Sequence, residues 1–492
     1  MSGVVGLISN EPVNQTIYDA LLLLQHRGQN SAGIATVEGL QFHLRKGLGL
    51  VNSVFHTSDM RSLTGNSGVG HCRYPTLLTS KSNEESSPFY VNAPYGILYC
   101  HEGNLTNADS LRDELYDEDL RHINTIGDGE ILMNVVADEI SKHCDGRGRF
   151  NNERLFSAMR SVYKRVRGAF ADVALIINKG LIAFRDPHGI RPLCIGRLKK
   201  EDGSYDYMVS SESVVLNGLG FEFLRDVAPG EVVFINRNRE LFSEICADTS
   251  DLCPCIFEYV YIARPDSVLD GISVYAARLK LGEVLAAQVK EKIDLADIDV
   301  VMPIPDSGRP AAQQLAATLK LPYREGFLKN RYVGRTFIMP GQSTRVKTVR
   351  QKLNGMPVEF EGKNVLLVDD SIVRGTTMCE IVKLAREAGA KKVFVASTAP
   401  RVMFPNVYGI DMTTRDELIC GHGLDADGVA QKIGADAVVY QRLEDLKSAI
   451  SSLNPSIKHY DCSCFDGEYV TGDVDEAYLK HVEAQRQKEV SN

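Results

Sequence analysis

The sequence lacks the features that direct a chain to a membrane or to nucleic acid. It contains no apolar run of the roughly 18 residues that a membrane span needs, and no charged start followed by a signal-type apolar stretch. No block of lysine and arginine exceeds two residues, and the net charge is −9. We therefore expect a cytoplasmic protein that has neither a membrane nor nucleic acid as a partner.

Regular cysteine spacing is also missing. The eleven cysteines are scattered, and several lie inside apolar segments such as "GHCRY" and "RPLCIG", which is typical of reduced, buried thiols rather than a disulfide scaffold. Two close pairs, Cys253/Cys255 and Cys462/Cys464, have C-x-C spacing instead of the C-x₂-C that is usual in metal and iron–sulfur sites. The spacing therefore argues against a metal cluster.

The hydrophobic pattern divides the chain into two large parts and a tail. Residues 1–235 show short apolar runs between turn signals, interrupted by helical patterns, which predicts an α+β domain with antiparallel sheets. Residues 256–470 alternate strand-like runs with longer helices, which predicts an α/β domain around a parallel sheet. Residues 471–492 form a polar tail with one amphipathic helix, expected to pack across the surface.

The chain begins "MSGVVGLISN", with a small hydroxyl residue ahead of an apolar run. Methionine before a small residue is commonly removed, and the freed α-amino group of Ser2 could then act as the base for its own hydroxyl. The start therefore predicts an N-terminal nucleophile. A Met-Ser start without catalytic meaning is the alternative, which the N terminus alone does not exclude.

The most specific motif is "KNVLLVDDSIVRGTT", residues 363–377. An apolar strand ends in Asp369 and Asp370, and Gly375, Thr376 and Thr377 open the next helix. Backbone N–H groups at a helix N-terminus hold phosphate, while paired carboxylates hold ribose hydroxyls or Mg²⁺. The motif therefore suits a phosphorylated sugar.

A response-regulator receiver domain also places an acidic pair at a strand end. That alternative predicts a further aspartate after the following strand, but "KKVFVASTA" has none. An acidic pair followed by Gly-Thr-Thr instead resembles the loop of type I phosphoribosyltransferases, which binds phosphoribosyl pyrophosphate (PRPP).

Two further segments fit a pyrophosphate leaving group. "MPIPDSG" places Ser307 in a turn after a strand, and "FLKNRYVGRTFIMPG" carries Lys329 and Arg335 beside a glycine hinge. A basic loop that closes over pyrophosphate would exclude water and neutralise the developing charge. A solvated basic loop without this function is the alternative.

Together these segments resemble the glutamine PRPP amidotransferases over nearly the whole chain, through "LQHRGQNSAGIAT", "GNLTN", "FRDPHGIRPL", "FEYVYIARPDSVLDGISVY" and "FPNVYGIDM". The resemblance implies a four-layer αββα N-terminal nucleophile glutaminase domain followed by an α/β type I phosphoribosyltransferase domain. It also implies an enclosed ammonia path, purine nucleotide effectors and a homotetramer.

The resemblance assigns roles to individual residues. On the glutaminase side, Arg73 holds the glutamine carboxylate, Asp128 holds its amine and Gly103 lies beside the oxyanion. On the transferase side, Lys329 and Arg335 act on pyrophosphate, and Mg²⁺ is held by Ser307, Asp369 and Asp370. Ribose and phosphate are bound by the loop residues Asp369, Asp370, Ser371, Arg374, Gly375, Thr376 and Thr377.

Several positions depart from the family pattern. Ser2 stands where the family has its cysteine nucleophile, and Glu102 replaces the asparagine whose amide donates to the oxyanion. Loss of one such donor costs about 10²–10³ in rate, and an ionised carboxylate would also repel the anion. Asn30 replaces an aspartate, and Asn406 replaces a cysteine that ligates iron in some members. We expect an impaired glutaminase and no iron–sulfur cluster.

The expected reaction displaces pyrophosphate from C1 of PRPP by ammonia or another amine, with Mg²⁺, to give 5-phosphoribosylamine. Three alternatives remain open. The chain could be a paralogue that ribosylates a different amine in a side pathway, a non-catalytic regulator that binds PRPP or nucleotides, or an enzyme whose Ser2 still cleaves glutamine.

Overall fold

The computed structural model describes residues 1–75, 83–144, 150–330, 352–412 and 414–491, with side chains up to residue 486 in the last helix. Strands dominate the first half, as its short apolar runs predict. These strands are β1 Ser2–Ile8, β2 Ser31–Glu38, β3 Gln41–Leu48, β4 Ser67–Arg73, β5 Phe89–Val91, β6 Ile97–Cys100, β7 Gly103–Leu105, β8 Gly168–Ile176, β9 Gly180–Arg185, β10 Cys194–Lys199, β11 Tyr205–Ser210, β12 Glu222–Asp226, β13 Glu231–Asn236 and β14 Leu241–Ile245.

The helices of the first half cover the outer faces of its sheets. They are α1 Asn14–Leu23, α2 Val51–Val54, α3 Thr57–Ser62, α4 Ala108–Asp117, α5 Asp128–His143, α6 Asn152–Arg165 and α7 Ser213–Gly218.

Two antiparallel sheets pack face to face in the first half. One has the order β12-β10-β11-β1-β4-β2-β3 and the other β14-β13-β9-β8-β6-β5, with β7 paired to β8. Val4, Val69 and Val173 belong to the apolar layer between them. Helices α1 and α7 cover the first sheet, and α5 and α6 cover the second. Strand β8 is buried along its whole length because both of its faces are covered. The predicted four-layer αββα class is confirmed.

The second half has short strands between longer helices. Its strands are β15 Val268–Leu269, β16 Ile272–Ser273, β17 Val300–Pro303, β18 Phe327–Lys329, β19 Leu353–Gly355, β20 Asn364–Asp369, β21 Lys392–Ser397 and β22 Ala437–Tyr440. Its helices are α8 Val274–Lys292, α9 Arg309–Leu319, α10 Pro357–Phe360, α11 Thr376–Glu387, α12 Ala426–Ile433, α13 Leu443–Ser451, α14 Ser463–Asp466 and α15 Glu476–Ser491.

The central sheet of the second half is parallel, in the order β17-β20-β21-β22. Helices α8 and α9 cover one face, and α11 and α12 cover the other, so the predicted α/β class is confirmed. Pro303 of β17 pairs with Val368 of β20. The chain segments that leave these two strands therefore meet at one edge of the sheet, where ligands bind in open α/β folds.

A π-helical turn, Glu258–Ile262, joins the halves. The buried Arg278 of α8 fixes this turn by donating to the carbonyls of Tyr259, Tyr261 and Ala263 at 3.2, 2.9 and 2.8 Å. Glu258 of this turn is buried and accepts hydrogen bonds from Arg27 of the first half. Among the helices of the described ranges, none is both long and apolar enough to cross a membrane.

Candidate active sites

A small cavity of about 30 Å³ lies in the first half, and Ser2, Arg73, His101, Gly103 and Asp128 line it. Ser2 begins β1 and stands opposite Arg73, the last residue of β4. Asp128 begins α5. The structure therefore brings together the residues that the sequence predicts for glutamine binding, although their roles remain predictions.

Ser2 is almost completely buried, with 7% of its surface exposed. Its Oγ accepts a long hydrogen bond from the Tyr74 amide at 3.4 Å. Met1 precedes it, so the Ser2 nitrogen is part of a peptide bond. The Met1 amino group donates to the Gly409 carbonyl of the second half, and burial lowers the pKa of this amino group to about 5. Removal of Met1 would free the Ser2 α-amine beside its own hydroxyl.

His101 connects two carboxylates beside Ser2. Its Nδ1 is 2.8 Å from Asp172 Oδ1, and its Nε2 is 3.5 Å from Asp128 Oδ2. Burial alone would lower the pKa of His101, but Asp172 and Asp128 raise it to about 10. The imidazole is therefore a cation at neutral pH. His101 directly precedes Glu102 in the chain, yet its sequence context alone gave no sign that it bridges two carboxylates.

The Arg73 guanidinium lies 3.7 Å from the buried Glu85 carboxylate. Asp128 accepts a hydrogen bond from the Leu105 amide at 2.9 Å. A cation and an anion thus face the same small cavity, which suits the carboxylate and ammonium groups of an amino acid.

Arg27 is fully buried, and all five of its N–H donors are used. Its Nε donates to the Ser2 carbonyl at 2.9 Å. Nη1 donates to Glu212 at 2.7 Å and to Glu258 at 3.1 Å, and Nη2 donates to Glu102 at 2.6 Å and to Glu258 at 2.8 Å. Burial opposes the charge of Arg27, but the three carboxylates outweigh it and raise the pKa of the guanidinium well above its usual value.

The Glu102 carboxylate is directed to Arg27. Its second oxygen accepts from Ser211 Oγ at 2.8 Å, while the backbone of its neighbour Gly103 lines the small cavity. Gly103 has φ +141°, and an added Cβ would clash with the Ala169 carbonyl, so only glycine fits there. Arg27 thus neutralises the carboxylate that the sequence places near the oxyanion, and Glu102 still supplies no amide donor.

A larger cavity, of about 540 Å³, opens at the carboxyl edge of the parallel sheet. The second half contributes the predicted residues Ser307, Asp369, Asp370, Ser371, Arg374, Gly375 and Thr377. The first half contributes Met1, Asn30 and Tyr74. Asn30, one of the departures noted in the sequence, therefore lies at the junction of the two halves, and its backbone amide donates to the carbonyl of Arg73, the residue opposite Ser2.

The acidic pair is held by neighbouring hydroxyls. Ser307 Oγ donates to Asp370 Oδ2 at 2.5 Å, and Ser371 Oγ donates to Asp370 Oδ1 at 2.7 Å. Burial, together with the charge of Asp370, raises the pKa of Asp369 well above its usual value. Two close carboxylates at a cavity wall fit a divalent cation. The described residues hold no cluster of three metal-ligating His, Cys, Asp or Glu side chains, so a cation here would take its other ligands from substrate and water, as Mg²⁺ commonly does.

The phosphate loop, residues 371–377, runs into the predicted helix. Helix α11 begins at Thr376, and Gly375 precedes it with φ +74°. A Cβ at Gly375 would clash with the Ile419 side chain. Glycine therefore provides both the turn and the close packing that aim the helix N-terminus at the cavity, where N–H groups and the helix dipole favour phosphate.

Lys329 lies at the end of β18, and its Nζ is 2.7 Å from Asp306 Oδ2 in the turn after β17. Arg309 Nη1 is 2.6 Å from Asp306 Oδ1. The structure thus brings basic side chains to the predicted pyrophosphate turn. Arg335 lies outside the described residues.

Sequence comparisons identify both halves. Residues 75–217 match the family model of a glutamine amidotransferase domain, and residues 273–401 match that of a phosphoribosyl transferase domain. The chain is 52% identical to an amidophosphoribosyltransferase of Escherichia coli, covering 100% of this chain and 99% of that protein. It is 51% identical to the amidophosphoribosyltransferase of Pasteurella multocida, covering 99% and 96%.

Among solved structures, the glutamine PRPP amidotransferase of B. subtilis, complexed with ADP and GMP, superposes with a TM-score of 0.84. It is 35% identical, covering 98% of this chain and 100% of that one. The fold and the two cavities thus define a two-domain enzyme that couples an amidotransferase domain to a pentosyltransferase domain. The chain belongs to the amidophosphoribosyltransferase family of purine biosynthesis.

Proposed function

We propose that the protein transfers nitrogen to C1 of PRPP, releasing pyrophosphate and giving 5-phosphoribosylamine, and that its nitrogen donor is free ammonia rather than glutamine. The observation that carries the ammonia dependence is the engagement of Glu102 with Arg27 and Ser211. This carboxylate occupies the position of a family amide donor and has no N–H to offer to a tetrahedral intermediate.

The glutaminase half is further weakened at Ser2. A hydroxyl is far less ionised than a thiol near neutral pH, so it needs a base to attack an amide. The Arg27 guanidinium contacts the Ser2 carbonyl and not its hydroxyl. Removal of Met1 would free the amine, but the oxyanion donor would still be missing.

The transferase half retains the groups that the displacement needs. The nitrogen lone pair forms the N–C1 bond as the C1–O bond to pyrophosphate breaks with its electron pair, and the ammonium product then loses a proton to solvent. Asp369 and Asp370 would hold the ribose hydroxyls, and the 371–377 loop the 5′-phosphate. Lys329, with Arg335, would hold the leaving pyrophosphate. Catalysis here consists of positioning and charge stabilisation.

Mg²⁺, held by Asp369, Asp370 and Ser307, would supply charge neutralisation on the pyrophosphate. The hydroxyl of Ser307 and the two carboxylates offer the oxygen ligands that Mg²⁺ prefers.

The proposal is tested by measuring pyrophosphate release from PRPP and Mg²⁺, with glutamine in one series and ammonium at alkaline pH in the other. Release with ammonium alone supports it, and Ser2→Ala should then leave the rate unchanged. Glutamine-dependent release that Ser2→Ala abolishes would contradict the ammonia dependence. Asp369→Asn/Asp370→Asn should abolish release in both series, and serves as the control for the transferase site.

A second candidate acceptor is an organic amine. The cavity that contains the acidic pair is also lined by Met1, Asn30 and Tyr74 of the first half, and we infer that an amine would enter from this side. Pyrophosphate release that requires such an amine and ignores ammonium would favour a paralogue of a side pathway.

The remaining predictions extend the same proposal. The domains span residues 1–235 and 256–470, with a helical tail at 471–492. We expect a cytoplasmic protein that forms a homotetramer. We also expect purine nucleotides to regulate it, because the B. subtilis relative is complexed with ADP and GMP. Gel filtration coupled to light scattering tests the tetramer.

A further inference from the structure

Arg374 lies between the proposed PRPP cavity and two carboxylates. It lines the cavity, as does Asp411. Its Nη2 is 2.7 Å from Glu417 Oε2 and 3.6 Å from Asp411 Oδ2. A guanidinium held in this way must loosen its contact with Glu417 before it can turn to a phosphate of the substrate.

The last helix supplies a second cation to the same carboxylates. Arg486 Nη1 is 3.0 Å from Asp411 Oδ1, and its Nη2 is 3.3 Å from Glu417 Oε1. The side chain of Arg486 is 18% exposed and that of Asp411 12% exposed. Charges that are shielded from water to this extent interact more strongly than an exposed pair. Arg374 and Arg486 therefore share Asp411 and Glu417 and balance their two negative charges.

The position of Arg486 depends on both halves of the protein. On α15, His481 lies 3.0 Å from Asp109 of α4 in the first half. At the start of the same helix, Glu476 lies 2.9 Å from Arg415 in the second half. Contacts outside the cavity thus fix the helix and, with it, the position of Arg486.

We propose that Arg486 is a positioning residue for PRPP. By neutralising Asp411 and Glu417, it leaves the Arg374 guanidinium available to a phosphate group and removes an uncompensated negative charge from the cavity wall. Without Arg486, the two carboxylates hold Arg374 to themselves, and Asp411 repels the phosphates. This inference rests on the proposed PRPP site.

The test compares the affinity for PRPP with Mg²⁺, by calorimetry, and the KM and kcat of ammonium-dependent pyrophosphate release. Arg486→Met should raise the Kd and KM for PRPP about five- to tenfold while kcat stays within about twofold, because the change acts on binding. Arg486→Lys, which keeps the charge, should stay within about threefold of the unaltered protein.

Arg415→Met is the matched control, since it removes another arginine ion pair of α15 without touching Asp411 or Glu417. It should change the KM by less than Arg486→Met does, because the contact of His481 with Asp109 still holds the helix. The double variant Arg486→Met/Glu417→Gln should recover most of the lost affinity, because it removes one of the two carboxylates left unbalanced.

Equal effects of Arg486→Met and Arg415→Met, without recovery in the double variant, would show that Arg486 only docks the helix, and would overturn the inference. Arg374→Met distinguishes a failure of this inference from a failure of the proposed PRPP site. If it raises the KM but Arg486→Met does not, the proposed PRPP site stands and this inference fails. If Arg374→Met has no effect either, Arg374 does not bind PRPP and both fail. Should Arg486→Met lower the melting temperature, the KM measured well below that temperature still decides, because an unfolded fraction lowers the apparent kcat and leaves the KM of the folded enzyme unchanged.

Discussion

At the scale of single residues, the contacts of Arg27 show how the protein accommodates a glutamate at position 102. Three carboxylates and one carbonyl take all of its donors. An unpaired charge would be costly at such a buried position. Glu102 provides one of these partners, so its acidic side chain has a structural role although it offers no donor to an oxyanion.

Replacing Glu102 by asparagine should therefore lower the stability of the protein. The shorter amide reaches Arg27 poorly and carries no charge, so the loss should be about 1–3 kcal/mol. Urea unfolding measures it. Glu201→Gln, an exposed position, is the control and should change little. A variant as stable as the unaltered protein would show that Arg27 does not need Glu102.

The pH dependence of stability should reveal the His101 network. The folded pKa of about 10 lies above the usual 6.5. The stabilisation is thus complete below pH 6.5 and is lost as the pH rises towards 10. The difference in unfolding free energy between the unaltered protein and His101→Gln should fall across this window. A constant difference from pH 6 to pH 10 would contradict the charged form of His101.

At the scale of elements, the phosphate loop combines a strand end, a glycine turn and a helix N-terminus. Asp369 ends β20, Asp370 follows it directly, and Gly375 sets the entry into α11. Each part lies within a few residues of the next. Local geometry alone therefore fixes where the acidic pair stands relative to the helix N-terminus.

Gly375→Ala should weaken PRPP binding because it adds both backbone strain and a clash with Ile419. We expect an increase of at least tenfold in the Kd for PRPP by calorimetry. Gly434 provides a matched control, since it also has positive φ, +77°, but no atom within 4 Å of an added Cβ. Gly434→Ala should lower stability slightly and leave binding intact. Equal binding losses in both variants would contradict the role of the loop packing.

Features that depend on neighbouring residues could be predicted from the sequence, and features that depend on tertiary packing could not. Short apolar runs predict β8 and β20, and the spacing within residues 363–377 predicts the acidic pair and the start of α11, because these features depend on neighbours in the chain. Arg27 and Glu258 are 231 residues apart, and no periodicity links them. The direction of the Glu102 side chain and the position of Asn30 follow from tertiary packing, which resemblance to a family pattern did not reveal.

At the scale of the whole molecule, one loop of the second half contacts both cavities. Asn104 donates to the Val407 carbonyl at 3.1 Å, and an added Cβ at Gly409 would lie 3.2 Å from Gly103 Cα. Ile410 and Asp411, which follow directly, line the larger cavity. The loop thus connects the backbone beside Ser2 with the proposed PRPP site through a few residues.

This proximity makes the choice of nitrogen donor the central question for the molecule. Tyr74 lines both cavities, yet the smaller one has a hydroxyl at its predicted nucleophile position and lacks an amide donor at Glu102. On this account, the second half works with nitrogen that the first half does not release.

The most direct measurement supplies the unaltered protein with PRPP, Mg²⁺, ¹⁵N-labelled ammonium and unlabelled glutamine together, and reads the mass of the 5-phosphoribosylamine formed. We predict that nearly all of the product carries ¹⁵N and that no glutamate accumulates. Unlabelled product with an equal amount of glutamate would show that Ser2 cleaves glutamine despite Glu102, and would contradict the account.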